Sequence, residues 1–368
     1  MTVLDRIIAS LRGDADVWPA DTDWHEVLTV AEHHGVTVML ANAVANDILR
    51  ASARRSTERA FQLARQLRIL VEELTASGID VLPIKGPVLA VTAYGDPARR
   101  GVSGDLDLVV RPRDFERALA CLLAIGYTRH EGAADEEHEH EQWESEAHLL
   151  PPAVPGTMVE LHTDLIGNFH TAPVNLDAVL SRARTQMLFG VPIRVPAAED
   201  LLLYLCLHGA RHLWSRLVWV SDIDAVIRSE SSLDWETLFA RAAAIDATQR
   251  LALGVQLAHQ LFHTPLPRLP SLLAARDRDQ RRTIALFARR MADTSAGRHV
   301  PSLRVRFASE LAVRETLAQR FTYLYKQLTP TPRDRAWLRL PRGMGWLHVV
   351  LRPLRLLTRY GEEYEKKK

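Results

Sequence analysis

"GDLDLVV", residues 104–110, sets two acids into an otherwise aliphatic run, and its reading decides the fold. Leu106, Leu108, Val109 and Val110 predict a strand. Successive strand side chains alternate between faces, so Asp105 and Asp107 point the same way. Two carboxylates side by side repel by roughly 3 kcal/mol at about 5 Å when the effective dielectric is near 20. On repulsion alone, replacing both by asparagine is expected to leave the metal-free fold as stable or slightly more so. A divalent cation removes the conflict, because magnesium takes carboxylate oxygens and completes its shell with water and substrate phosphates. Gly104, just before the pair, leaves backbone room for a ligand.

The neighbouring segments supply a sheet for that strand. "IDVLPIKGPVLAVTAYGDP", residues 79–97, holds a short strand through Ile79, Val81, Leu82 and Ile84, after which Lys85-Gly86-Pro87 opens a helix. A helix N-terminus with a lysine and a glycine presents free amides, the positive dipole end and a cation, which suits a phosphate chain. "RPRDFERALACLLAIGY", residues 111–127, reads as a helix, and "YTRHEG" as a short strand. "AHLLPPAVPGTMVELHTDL", residues 147–165, reads as two strands joined by a proline-glycine turn. If Val159 and Leu161 face the core, Glu160 and His162 share the opposite side, and Glu160 is the candidate third carboxylate. Between these segments, residues 132–146 are acidic and aperiodic and predict a loop, with His138 and His140 as solvated members.

Helices flank this module. Residues 1 to about 77 carry apolar positions at three- and four-residue steps, with Gly35 and Gly78 placed as helix ends. From Pro196 onward the pattern is helical again through "AAEDLLLYLCLHGARHLWSRL" and "VWVSDIDAVIRS". The expected organisation is α+β: a small mixed-sheet core with helices, between N-terminal and C-terminal helical regions. Its predicted boundaries are a helical region 1–78, an α/β core 79–165, a connecting segment 166–195 and a helical domain 196–368.

Composition narrows the function classes. The 368 residues are 47% hydrophobic and 25% charged, ordinary for a soluble globular protein. A net charge of +1 gives no global attraction to nucleic acid or anionic membrane. Cys121 and Cys206 lie in apolar helical patterns and point to a reducing compartment. No apolar run reaches the length of a membrane span, and "MTVLDRIIASLRGD" is too polar for a signal peptide, so a cytoplasmic protein is expected.

Other polar groups carry less. His208 and His212 lie one helical turn apart in "HGARH", without the glutamate of a metalloprotease helix. Asp222 and Asp224 repeat the D-x-D spacing, but on a predicted helix, where residues two apart diverge. The arginine-rich tail, residues 296–368, interleaves Trp337, Trp346 and Tyr360. Arginines lying over a core are the first expectation there, ahead of contact with RNA or acidic lipid.

The stretch from Leu82 to Tyr127, "LPIKGPVLAVTAYGDPARRGVSGDLDLVVRPRDFERALACLLAIGY", resembles the core of the uncharacterised nucleotidyltransferase family of bacterial proteins, within the polymerase-beta-like nucleotidyltransferase superfamily. "WHEVLTVAEHHGV", "LLLYLCLHGARHLWSRLVWVSDIDAV" and "VVLRPLRLLTRYG" resemble the family's flanking segments, so the resemblance spans nearly the whole chain. It implies Asp105 and Asp107 as ligands of Mg2+ or Mn2+, with Glu160 as the third acid. Lys85 and Gly86 would meet the phosphates of a nucleoside triphosphate, with Gly104 beside it and His208 facing the cleft. The family arginine falls at Gly101 here, with Arg99 and Arg100 just ahead and Arg100 the nearer. The implied activity is transfer of a nucleotidyl or related phosphoryl group to a peptide, sugar or protein acceptor. Two other readings stand beside it, a non-catalytic nucleotide sensor or scaffold and a toxin-like enzyme that modifies tRNA.

Overall fold

The computed structural model describes residues 1–101, 104–130, 146–152, 156–165 and 174–266, with shorter pieces between 282 and 352. His138, His140 and Tyr360 lie outside the described residues.

Four helices lead the chain: α1 (Val3–Arg12), α2 (Trp24–His34), α3 (Thr37–Ala43) and α4 (Asp47–Ala76). Thr2 and Asp5 form a capping box on α1, Asp23 caps α2 and Asn46 caps α4, each satisfying amides that the first turn leaves open. The Asn46 cap starts α4 well upstream of its clearest apolar stripe. Gly78, at φ +71°, ends it, and the Ile79 amide donates to the Leu74 carbonyl at 3.0 Å.

The α/β core follows as β1 (Val81–Pro83), α5 (Pro87–Tyr94), α6 (Pro97–Arg100), β2 (Asp105–Val110), α7 (Phe115–Ala124), β3 (Thr128–Arg129), β4 (Glu146–Leu150) and β5 (Met158–His162). The five strands form one mixed sheet in the order β1-β2-β5-β4-β3. β2 and β5 run parallel and the remaining pairs are antiparallel. The period-two alternation divides the sheet's faces. Leu106, Leu108, Val110, Val159, Leu161, Ala147 and Leu149 pack with residues of α4 and α7. Val109 and Leu82, on the other face, join the core of the helical regions. One end of that second face remains polar.

The stretch expected as a connection has structure of its own: α8 (Leu176–Arg182) and a hairpin of β6 (Arg184–Leu188) and β7 (Val191–Val195). Leu188, Ile193 and Val195 pack into the core beside α4. Short strands turning at Phe189-Gly190 escape a periodicity reading because each offers few apolar positions.

The C-terminal helices are α9 (Ala198–Arg211), α10 (Leu217–Ser229), α11 (Trp235–Ala244) and α12 (Thr248–Phe262). Leu201 to Leu207 of α9 are all buried, as expected of a helix apolar on every side. Beneath it the fully buried Trp214 fills space left by two glycines. A Cβ at Gly209 would lie 2.2 Å from the Trp214 ring, and one at Gly254 would lie 2.6 Å from Cys206 Sγ. Gly209→Ala is expected to cost at the upper end of the ~1–3 kcal/mol typical of overpacked cores, read as a fall in melting temperature.

Two further helices, Leu303–Ala312 and Leu317–Leu328, lie in the tail. Arg314 and Arg352 there are buried in ion pairs with Glu310 and Asp334, which agrees with arginines serving a core. Among the described residues no helix is long and apolar enough to cross a membrane.

The "HHGV" segment clamps the two helical regions together. His34 is fully buried and its Nδ1 accepts from the Leu217 amide at 3.1 Å, at the start of α10. Arg216 Nε donates to the His33 carbonyl at 2.9 Å. Burial, with the neighbouring His33 and Arg216 charges, pulls the His34 pKa down to about 3. The unfolded chain therefore binds a proton at His34 that the folded chain refuses. Its contribution is fully present above the unfolded pKa of about 6.5 and falls by up to about 1.4 kcal/mol per pH unit below it. Urea unfolding between pH 7 and pH 5 is expected to show this slope, with His34→Gln flattening it.

Candidate active site

Register across the central strands builds the polar end of the second face. Asp107 on β2 lies opposite Glu160 on β5, which lies opposite His148 on β4. Two pairs further along, Val109 faces His162 and His162 faces Glu146. β4 and β5 each carry an acid and a histidine two residues apart, "EAH" at 146–148 and "ELH" at 160–162. Antiparallel pairing sets the acid of each opposite the histidine of the other.

Side-chain distances turn that register into a connected cluster. Lys85 Nζ lies 2.6 Å from Asp107 Oδ1. His162 Nε2 is 3.5 Å from both Asp107 Oδ1 and Glu160 Oε2, and its Nδ1 is 3.5 Å from Glu146 Oε1. His148 Nε2 meets Glu146 Oε1 at 3.2 Å, while its Nδ1 is 3.8 Å from Glu160 Oε1. At 3.5 Å the His162 Nε2 contacts are charge proximity rather than formed hydrogen bonds. His162 Nε2 and Asp107 Oδ2 are both buried without a hydrogen-bond partner.

The electrostatics follow from burial set against these neighbours. Burial works against an ionised Asp107, but the Lys85 ammonium outweighs it and holds the carboxyl well below the usual range. Burial likewise opposes the charge on Lys85, and Asp107 reverses the balance, so its pKa rises. His162 is pushed up to about 10, burial being outweighed by Asp107, Glu160 and Glu146. Contact with Glu146 raises His148. This overturns the expectation that removing both aspartates is harmless to the fold. Lys85 already offsets the repulsion, and without Asp107 it is left as a buried, unpaired cation.

The remaining sequence candidates fall in different places. Asp105 is half-buried at the start of β2, within the fields of Arg100 and Arg216. Gly104 precedes it in open space, where a Cβ would meet nothing within 4 Å. Gly86 turns the chain from Lys85 into α5 at φ +58°, a region that favours glycine. Arg99 is exposed. Arg100 is 7% exposed and bidentate on Asp222, with Nε on Oδ1 and an Nη nitrogen on Oδ2, both at 2.7 Å. Tyr94 Oη donates to the same Asp222 at 2.9 Å, so the Arg100 guanidinium is engaged away from the acid cluster. Asp224 instead meets Arg228 and Thr264, so the second D-x-D diverges as its helix requires.

On α9, His208 stacks on Tyr204 and contacts His212 and Trp219. Burial first, then the Lys85 charge, holds His208 well below its ordinary pKa, so it is a neutral imidazole. Tyr204 is buried beside Lys85, its hydroxyl pushed up by burial. Sequence reasoning gave no role to Glu146, His148, His162 or Tyr204. Glu146 fell at the end of the acidic run read as a loop, whereas it is the first residue of β4. The paired E-x-H spacing was the signal that locates it.

Asp107, Glu160 and His162 each offer a ligand atom, all within 4.8 Å of one another. This donor set, with a buried carboxylate oxygen lacking any partner, fits a divalent cation. A model of the uncharacterised nucleotidyltransferase family matches residues 20–263, a span that contains the whole sheet. The chain belongs to this family. As a family member it is a nucleotidyltransferase, and the mixed α+β core is its fold. A solved structure of an antigenic nucleotidyltransferase-like protein from Paracoccidioides brasiliensis is 16% identical, with a TM-score of 0.39 over 57% of this chain and 95% of that one. No curated protein matches the sequence.

Proposed function

We propose that the protein moves a nucleotidyl group from a nucleoside triphosphate to an acceptor hydroxyl or phosphate, with Mg2+ or Mn2+ held by Asp105, Asp107 and Glu160. The observation that carries this reading is the buried Asp107 Oδ2, unpartnered and next to Glu160 on the adjoining parallel strand. A divalent ion bound there supplies charge to offset the triphosphate and to polarise the reacting phosphate. Lys85 keeps Asp107 ionised and sits at the turn into α5, where it also faces incoming phosphates. Gly86 lets that turn close tightly, and Gly104 leaves the approach to Asp105 open. Neutral His208 contributes a hydrogen-bonding group to the cleft wall, not a charge. With Arg100 held by Asp222, Lys85 is a cation placed to meet the departing pyrophosphate.

The helical regions 1–78 and 196–368 wall the cleft and select the acceptor, for which a peptide, sugar or protein hydroxyl is our reading. Two free cysteines among the described residues, Cys121 and Cys206, agree with a reducing, cytoplasmic setting. The test is transfer of label from α-labelled triphosphates in Mg2+ or Mn2+ to pools of peptides, sugars and RNA. Label on peptide or sugar, lost in Asp105→Asn and Asp107→Asn, supports the proposal. Label confined to tRNA would favour an RNA-modifying enzyme, and tight triphosphate binding without transfer would favour a sensor.

A further inference from the structure

We infer that His162 is a nitrogen ligand of the metal at this site, oriented by Glu146, so that the site favours a transition-metal ion such as Mn2+, Co2+ or Zn2+ over Mg2+. The inference rests on the proposed metal-dependent reading and adds to it a ligand and a class of cation.

Three observations carry it. His162 Nε2 is buried without a hydrogen-bond partner, and it is aimed between Asp107 and Glu160, 3.5 Å from an oxygen of each. Asp107 is 4% exposed, and its Oδ2 is also unpartnered, because Lys85 engages Oδ1. On the far side of the ring, Nδ1 lies 3.5 Å from Glu146 Oε1, and β4 pairs Glu146 directly opposite His162. A histidine that binds a metal through one nitrogen usually directs the other to a carboxylate, which fixes ring orientation and strengthens the donor. Here Glu146 holds that second position, and His148 steadies Glu146 in turn at 3.2 Å.

The donor chemistry selects the ion. Two carboxylates and an imidazole form a mixed oxygen-nitrogen set, whereas magnesium favours oxygen alone. First-row transition ions accept imidazole readily, and the Irving–Williams order ranks cobalt and zinc above manganese at such sites. Asp105, two residue pairs nearer the open end at Gly104, is left to an ion carried by the triphosphate.

Pulsed EPR of the full chain loaded with Mn2+ and a non-hydrolysable triphosphate tests this without reference to turnover. The expected spectrum of the wild-type protein contains a 14N coupling from a directly bound imidazole. That coupling should vanish in His162→Gln. Glu146→Gln should retain it while weakening Mn2+ binding about 10- to 100-fold. Cobalt loading should give the visible bands of a nitrogen-ligated ion, and Mg2+ should displace Mn2+ only at large excess. Bound Mn2+ without nitrogen coupling in the wild type would overturn the inference and leave the metal-dependent reading standing. A coupling that survives His162→Gln would overturn it equally. No Mn2+ uptake by the wild-type protein, with or without triphosphate, would defeat the reading itself.

Discussion

Asp107→Asn is expected to reduce label transfer by about a thousandfold or more, equivalent to ~4 kcal/mol of transition-state stabilisation. Asparagine preserves shape but replaces an anionic oxygen at the centre of the cluster, where Oδ2 is buried and free to take a cation. The loss should fall on kcat, with triphosphate binding weakened alongside it as the metal leaves. A second effect accompanies the first. Lys85 Nζ, 2.6 Å from Asp107, loses its counter-charge in a buried setting. Removing one partner of such a pair costs roughly 3–5 kcal/mol, so the melting temperature should fall as well. Lys85→Met combined with Asp107→Asn should recover most of that stability and none of the activity, which separates the two roles. Transfer near the wild-type rate in folded Asp107→Asn would reduce this acid to a structural group.

Arg100→Ala is expected to damage the fold severely. Arg100 and Asp222 form a bidentate pair between α6 and α10, both nearly inaccessible to solvent, and Tyr94 adds a third hydrogen bond. Truncating the arginine leaves the buried Asp222 carboxyl without its cationic partner, a loss of roughly 3–5 kcal/mol. Arg100→Met with Asp222→Leu should cost far less, because no charge is left stranded. Urea denaturation of the three proteins gives the comparison directly. A phosphate ligand would behave otherwise: Arg100→Ala would raise KM for the triphosphate while leaving the unfolding midpoint unchanged.

The fold was legible where the sequence obeys one period. "GDLDLVV" alternates cleanly, and its apolar remainder packs on α4 and α7 as a half-polar strand should. Gly35 and Gly78 end their helices in left-handed geometry, which only their position after an apolar stripe needed to reveal. The hairpin at 184–195 was hidden because partly exposed strands with polar alternation resemble a linker. For the cluster, Asp107 and Glu160 could be placed on facing positions once both strands were recognised. Their partners depended on strand pairing, which a single sequence does not state. His162 already shared a face with Glu160, but the neighbour that gives it a role, Glu146, comes from the antiparallel register of β4. Arg100 shows the reverse case. The family resemblance implied phosphate contact for it, while Asp222, 122 positions later, takes both ends of its guanidinium.

The most direct test is a titration of Mn2+ uptake, followed by the EPR signal of free Mn2+, in the presence of a non-hydrolysable nucleoside triphosphate. It requires no knowledge of the acceptor. The wild-type protein should bind Mn2+ together with the triphosphate, and Asp107→Asn and Glu160→Gln should each weaken that uptake by at least about tenfold. Equal uptake by the wild type and both variants would contradict a metal-bound triphosphate held at Asp107 and Glu160.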